Sequence, residues 1–418
     1  MNIIDEIKKF PNTTLYKDLA LIKNNDLFKN LIITNTNNIN ILIQEYSQKE
    51  YPTISCGILT YNETHNIKRC LESLVNFDEI IILDSFSTDT TIEIIKNHFK
   101  DCKIIRQKWI NDFSHHRNLI INEAKSDWIF YIDSDNWIEE EYGFKLKRIA
   151  KLLDFFKVDC VVSPIILEHN GHEYTDNRKM FRVNSGIKFF GYVHEEPMKL
   201  NQTLPNNIII DLIVKHDGYD SDKVNMKLKN KRNLILTEKM VLKEPKNPKW
   251  KYFLSRELFF EHKYNEAQKS LDLALSLYKN NSKYHRYFIE TLILAIKIQL
   301  QKGNIKKTQQ LIETTDKYFP DCIDSTYYKS ILLMMNLKMR ASEINNSINI
   351  ELSKKHFSVI DTTDSHLKAI QYEIYDFLGD IKNSLDSYNL ITNRDIQKKV
   401  TSDKIDKKHF IKRNYGHE

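Results

Sequence analysis

Two carboxylates one residue apart, Asp133 and Asp135, close the apolar run Trp128-Ile-Phe-Tyr-Ile. A short run of this kind reads as a buried strand. Burying a bare carboxylate is strongly unfavourable, so an acidic pair at a strand's end must reach solvent, a cation or a metal. Capping a helix that starts near Glu139 is the plainer use of such a pair. Two more acids stand in the same relation to their own strands. Glu63 follows the apolar stretch Thr53-Ile-Ser-Cys-Gly-Ile-Leu-Thr, and Asp84 closes Phe77-Asp-Glu-Ile-Ile-Ile-Leu. His216 ends a further run, Ile208-Ile-Ile-Asp-Leu-Ile-Val-Lys, and Glu195-Glu196 follow His194. Carboxylates and imidazoles are the groups that hold cations and move protons.

The elements that position these groups alternate. Strands are expected over Thr53–Thr60, Phe77–Asp84, Lys103–Arg106 and Trp128–Asp133, with helices over Asn66–Val75, Thr90–Phe99 and Ser114–Ala124. Strands and helices alternating at this length imply a parallel, doubly wound α/β sheet. Ligands bind beyond the carboxyl ends of such strands, where Glu63, Asp84 and Asp133 fall. Asp159–Leu167 and Lys179–Val183 then read as antiparallel strands around an Asn170-Gly171 turn. Beyond Asp220 the strand texture stops and the rest is helical, with Pro245 and Pro248 breaking any continuous helix. Three regions are expected: a helical extension over 1–48, the α/β domain over 49–220 and an all-α domain over 221–418. Ala267, Leu271 and Ala274, then Gly303, Thr308 and Ile312, then Gly379, Ser384 and Tyr388 have the spacing of tetratricopeptide-like helix pairs, against the plain alternative of a helical bundle.

Bulk properties bound the function. At 418 residues the chain suits two or three domains. Lysine and arginine number 62 against 56 acids, a mildly basic balance that suits anionic small molecules, and no basic tract interleaved with aromatics argues for nucleic acid. The five cysteines are scattered and form no CxxC pair, which argues for reduced thiols, against zinc, and for the cytoplasm. The N-terminus lacks a signal-peptide pattern, and no run of about eighteen apolar residues predicts a transmembrane segment.

Read together, Tyr61-Asn-Glu63, Leu83-Asp84-Ser-Phe-Ser-Thr-Asp89, Asp112-Phe-Ser-His-His-Arg117-Asn118, Ile132-Asp133-Ser-Asp135 and Val193-His194-Glu195 resemble family 2 glycosyltransferases of the GT-A fold. The layout from about Tyr51 onward, with its helical tail, is similar to the sublancin-type peptide S-glycosyltransferases. The resemblance implies UDP-glucose or another UDP-hexose as donor and a cysteine, or also a serine, of a bacteriocin precursor peptide as acceptor. A homodimer is expected. An enzyme acting on envelope lipid or saccharide shares the same motifs, and a non-catalytic peptide-binding scaffold is the alternative from another class.

The resemblance assigns roles. Tyr61, Glu63 and Asp84 fall where the nucleoside packs, and Arg117 and Asn118 contact the donor, although a surface salt bridge is the plain role for Arg117. Asp89 is read as an ordinary helix cap. Asp135 is the first ligand of a Mg²⁺ or Mn²⁺ ion, Asp133 lies on the ribose or on the ion, and His216 is a third ligand through its match to the family's terminal His-x-Gly-Tyr. Such hard ions take few protein carboxylates and complete their shell with phosphate oxygens and water. Lys231 or Arg232 joins the ion in neutralising the departing UDP. His194, Glu195 and Glu196 are the candidates for the catalytic base, with Glu195 preferred.

Overall fold

The computed structural model describes residues 3–24, 26–29, 39–139, 143–216, 226–279 and 286–402. Four short helices open it: α1 (Ile3–Ile7), α2 (Thr14–Leu19), α3 (Asp26–Lys29) and α4 (Ile39–Gln48). An alternating stretch follows: β1 (Ile54–Thr60), α5 (Ile67–Glu72), β2 (Glu79–Asp84), α6 (Thr91–His98), β3 (Lys103–Arg106), α7 (Phe113–Glu123) and β4 (Trp128–Asp133). These strands pair in parallel in the order β3-β2-β1-β4. β1, β2 and β4 are largely apolar on both faces because helices cover both. Ile54, Cys56, Ile58, Phe130 and Ile132 face one core, and Ile81, Leu83, Ile129 and Tyr131 face the other with Ile120 of α7. Helix α7 closes tightly on the sheet at Gly57, where a Cβ would lie 2.8 Å from Ile120 Cγ2.

The second half of the sheet is mixed, with the antiparallel pairing expected between Asp159–Leu167 and Lys179–Val183. After β5 (Asn136–Ile138) and α8 (Lys145–Phe155) come β6 (Val161–Glu168), β7 (Glu173–Tyr174), β8 (Met180–Arg182), β9 (Lys188–Phe190), β10 (Glu196–Met198) and β11 (Asn207–His216). The sheet continues β4-β8-β6-β11-β5, with β8 antiparallel to both neighbours and β5 antiparallel to β11. The link from β6 through β7 to β8 is too short for a parallel crossover, so the chain must turn back on itself. Two reversals around β8 leave β6 and β11 running as β4 does. Their carboxyl ends therefore reach the same edge.

The N-terminal helices are part of this body. Ile7, Leu15, Phe28 and Tyr46 share a core with α8 and β4, and Ile22 bridges Ile210 of β11. Asp18 is fully buried, where it accepts hydrogen bonds from Tyr46 Oη and Arg148 Nε, each at 2.5 Å. Helices α9 (Met226–Lys243), α10 (Pro248–Phe260) and α11 (Tyr264–Lys279) follow, then α12 (Phe288–Gln301), α13 (Ile305–Tyr318), α14 (Ile323–Leu352), α15 (Ser365–Leu378) and α16 (Ile381–Asn389). The chain divides into two compact units, Met1–Leu277 and Tyr278–Glu418. The α9 and α10 helices fall within the first unit, and the N-terminal helices share its core. The helical pairs repeat one turn: His262, Gly303 and Gly379 are all left-handed, and the small residue five positions later, Ala267, Thr308 or Ser384, is buried.

Asp18→Ala leaves Arg148 and the Tyr46 hydroxyl without their shared acceptor. The substitution is expected to lower stability by about 2 kcal/mol, measured by urea unfolding.

Candidate active site

The carboxyl ends of β1, β2, β4 and β11 border a cavity of about 1040 Å³. Tyr61, Glu63, Arg117, Asp133, Asp135 and His216 are among its walls. Glu63 has its pKa raised by burial, with Asn66 opposing and Asp135 adding to the rise. The position of Asp135 follows from topology. Strand β4 ends at Asp133, Ser134 and Asp135 make the turn, and β5 begins at Asn136, which pairs with His216. Asp135 is thereby brought beside the imidazole, with Oδ2 3.3 Å from His216 Nε2. The other ring nitrogen, Nδ1, lies 2.9 Å from Oε2 of Glu168, which ends β6 directly opposite in the ladder. Asp135 Oδ1 is buried and has no hydrogen-bond partner among the described residues.

A carboxylate and an imidazole backed by an outer carboxylate is a donor set that fits a divalent ion. Among the described residues no cluster of three or more such side chains forms. Burial alone would lower the pKa of His216, but hydrogen bonds to Asp135 and Glu168 and their charges raise it above its ordinary 6.5.

Asp133 is held differently. Its Oδ1 accepts from Arg117 Nη2 at 3.0 Å and its Oδ2 from Lys179 Nζ at 2.7 Å. Burial would raise its pKa, yet these two cations hold it far below the usual carboxylate range. Arg117 also donates from Nε to Glu195 Oε1 at 2.6 Å, while Nη1 is buried without a hydrogen-bond partner among the described residues. The guanidinium lies against the Tyr131 and Phe189 rings. Lys179, Asp133, Arg117 and Glu195 therefore form a row of alternating charge.

The other expected site residues divide into two groups. Arg232 lines the cavity, joined by Lys229 three residues before it on α9. Residues at that spacing share a helix face, so Lys229 occupies the place expected of Lys231. Asp84, Asn118, His194 and Glu196 are not among its walls and hydrogen-bond within the protein. Asp84 is fully buried and accepts from Ser87 N, Ser87 Oγ and Arg106 Nε, which shapes the loop after β2. Asn118 exchanges hydrogen bonds with Phe189 N and O, fastening β9 to α7. Glu196 receives Lys249 Nζ at 2.6 Å, and His194 stacks on Phe253 with Nε2 3.1 Å from Glu257. Asp89 accepts from Thr91 N at the start of α6 and from Thr64 N and Oγ1, tying that helix to the loop after β1. Sequence reasoning missed Lys179, Glu168 and Lys229. Only the position of Glu168 at the end of an apolar run carried a signal.

A carboxylate and an imidazole thus stand in one cavity with a lysine and an arginine, at the strand ends of a Rossmann-like sheet. The family model for glycosyl transferase family 2 matches residues 55–213. The chain is 42% identical over 367 residues to the glycosyltransferase SunS of Bacillus subtilis strain 168, a match spanning 87% of this chain and 86% of SunS. A putative glycosyltransferase of the same organism, EpsH, is 35% identical over 108 residues, 24% of this chain and 31% of EpsH. A crystal structure of Staphylococcus aureus TarS in complex with UDP-GlcNAc aligns with 63% of this chain and 92% of that one, at 14% identity and a TM-score of 0.36. The chain belongs to the family 2 glycosyltransferases, with SunS as a full-length relative.

A raised folded pKa contributes stability that is complete below 6.5 and is lost as pH rises through the raised value. Metal-free protein is therefore expected to lose a His216-dependent part of its thermal stability as pH rises from that value. Over the same interval Mn²⁺ affinity should increase, because the proton and the ion compete for the imidazole. Comparison with His216→Gln by thermal unfolding and calorimetry checks both, and a variant that behaves as the parent would refute the assignment.

Proposed function

We propose that the chain is a metal-dependent, inverting glycosyltransferase. Its donor is a UDP-hexose, taken to be UDP-glucose, and its acceptor a cysteine, and also a serine, of a bacteriocin precursor peptide. The observation that carries the reading is the buried Oδ1 of Asp135, without a hydrogen-bond partner among the described residues, beside His216 Nε2 and in the same cavity as Lys229 and Arg232. A nucleoside diphosphate leaving group needs that combination of an ion seat and fixed cations. The cysteine acceptor rests on the resemblance to the sublancin-type enzymes and on the full-length likeness to SunS.

Asp135 and His216 would hold Mg²⁺ or Mn²⁺, imidazole favouring Mn²⁺. When bound, the ion supplies charge neutralisation for UDP as the glycosidic bond breaks. Tyr61 and Glu63 border the nucleoside, Lys229 and Arg232 face the pyrophosphate, and Arg117 offers Nη1 to the donor while it holds Asp133 toward the ribose. Glu195 takes the acceptor proton as sulfur bonds to the anomeric carbon and UDP departs from the opposite face. Asp84, Asn118, His194 and Glu196 support these groups. The GT-A domain takes residues 49–220, and the later helix pairs are read as a tetratricopeptide-like surface for the peptide. Two copies are read to pair, in the cytoplasm.

The test is mass spectrometry after incubation with a panel of UDP-sugars, Mn²⁺ or Mg²⁺, and a small cysteine-containing peptide encoded beside its gene. A hexose increment on cysteine that resists mild base is expected. Donor hydrolysis with no peptide increment would move the acceptor to lipid or saccharide. Asp135→Ala is expected to abolish transfer and metal-dependent UDP binding while leaving the unfolding midpoint in place, and full activity would overturn the ion site. A thiol, with a pKa of about 8.5, ionises far more readily than a hydroxyl. Glu195→Gln should therefore slow transfer to a serine peptide more than to its cysteine parent, and equal slowing would refute Glu195 as base.

A further inference from the structure

His194 precedes Glu195 in the chain and has φ 50°, a left-handed backbone that a histidine adopts only when its surroundings impose it. Those surroundings come from α10. The imidazole stacks on Phe253 with ring centroids 4.0 Å apart and planes 11° apart, and Nε2 meets Glu257 Oε1. Burial, chiefly, pushes its pKa down to about 4 despite that carboxylate. Lys249 Nζ donates to the His194 carbonyl at 2.8 Å and to Glu196 at 2.6 Å, bracketing Glu195 from both sides. Gly191 has φ 117°, and a Cβ there would lie 2.7 Å from Trp250 Cη2, so only glycine lets the loop seat on the helix. At the other end of the loop Phe113 N donates to Tyr192 O. The loop is thus pinned at α10 and at the start of α7, and between the pins Glu195 meets Arg117.

We propose that His194 is a positioning residue that acts through its backbone: α10 clamps it in the left-handed conformation that aims Glu195 at Arg117 and the acceptor. The imidazole takes no part in proton transfer. Its side chain is committed to Phe253 and Glu257. This rests on the reading of Glu195 as the acceptor-side carboxylate. Helix α10, which the α/β family motifs do not include, becomes a working part of the active site.

The test is a series at one position in the full-length chain: His194→Asn, His194→Gly, His194→Ala and His194→Val. Asparagine and glycine accept the left-handed region, alanine does so less readily, and valine strongly resists it. The value of kcat is expected to fall in that order. Asparagine should keep at least about a third of the parent's rate and valine should lose about tenfold or more, the factor that the conformational penalty sets. UDP affinity in Mn²⁺, measured by calorimetry, should hold constant across the series, as should KM for the donor. Equal, near-complete loss in all four variants would make the imidazole catalytic and overturn the proposal. A fall in kcat that tracks the unfolding midpoint in every variant would reduce the loop to general stability and also overturn it. Hydrolysis of the UDP-sugar by water is run beside transfer. If the parent hydrolyses donor but modifies no cysteine peptide, the peptide acceptor fails while the order of the variants in hydrolysis still tests His194.

Discussion

One buried guanidinium organises this site. Arg117 is surrounded by the Tyr131 and Phe189 rings and carries a charge that such a place tolerates only with close counter-charges. Asp133 and Glu195 supply them, and burial's tendency to lower the arginine's pKa is outweighed by these two carboxylates. The pairing joins three parts of the chain: α7, the end of β4 and the loop before β10. None of the three can move far without stranding a charge, and that requirement fixes where they stand relative to one another.

Asp133 and Asp135 stand one residue apart and meet different fates for the same reason. Asp133 is the last residue of β4, next to β8, and Lys179 just before β8 reaches its second oxygen. Asp135 lies past the turn, where β5 delivers it to His216 and leaves one oxygen without a donor among the described residues. The first carboxylate is thus spent on holding the framework, while the second faces the imidazole. Glu168 behind His216 fixes which ring nitrogen faces Asp135, a task that an outer carboxylate performs for metal-binding imidazoles generally.

Much of this was readable in advance. Apolar runs ending on Asp84, Asp133 and His216 placed those residues at strand ends, and strand direction in an α/β sheet placed the ends on one edge. The order of the motifs from Tyr61 to Glu195 carried the family. The roles of Asn118, His194 and Glu196 were not readable, because a motif match gives residue type and order but not what a side chain packs against. Lys179 and Glu168 were hidden by register: β8 entering between β4 and β6 brings Lys179 to Asp133, and β6 pairing with β11 sets Glu168 beside His216. Lys229 was displaced to Lys231 because the phase of α9 against the cavity cannot be counted from a helix whose start was unknown.

What the sequence by itself determined was the inventory and its polarity. Periodicity and turn residues dictate strands, helices and the side on which their charged ends emerge, since these depend on neighbours within a few positions. What only the tertiary structure decided was partnership. Whether a carboxylate meets Arg117, Lys179 or an empty position depends on sheet order and on how α9 and α10 dock. The N-terminal helices, which looked like an appendage, entered the core by the same means, through apolar faces whose target no local pattern names. Such contacts are selected by the summed burial and charge pairing of the whole fold, and a linear chain does not display that sum.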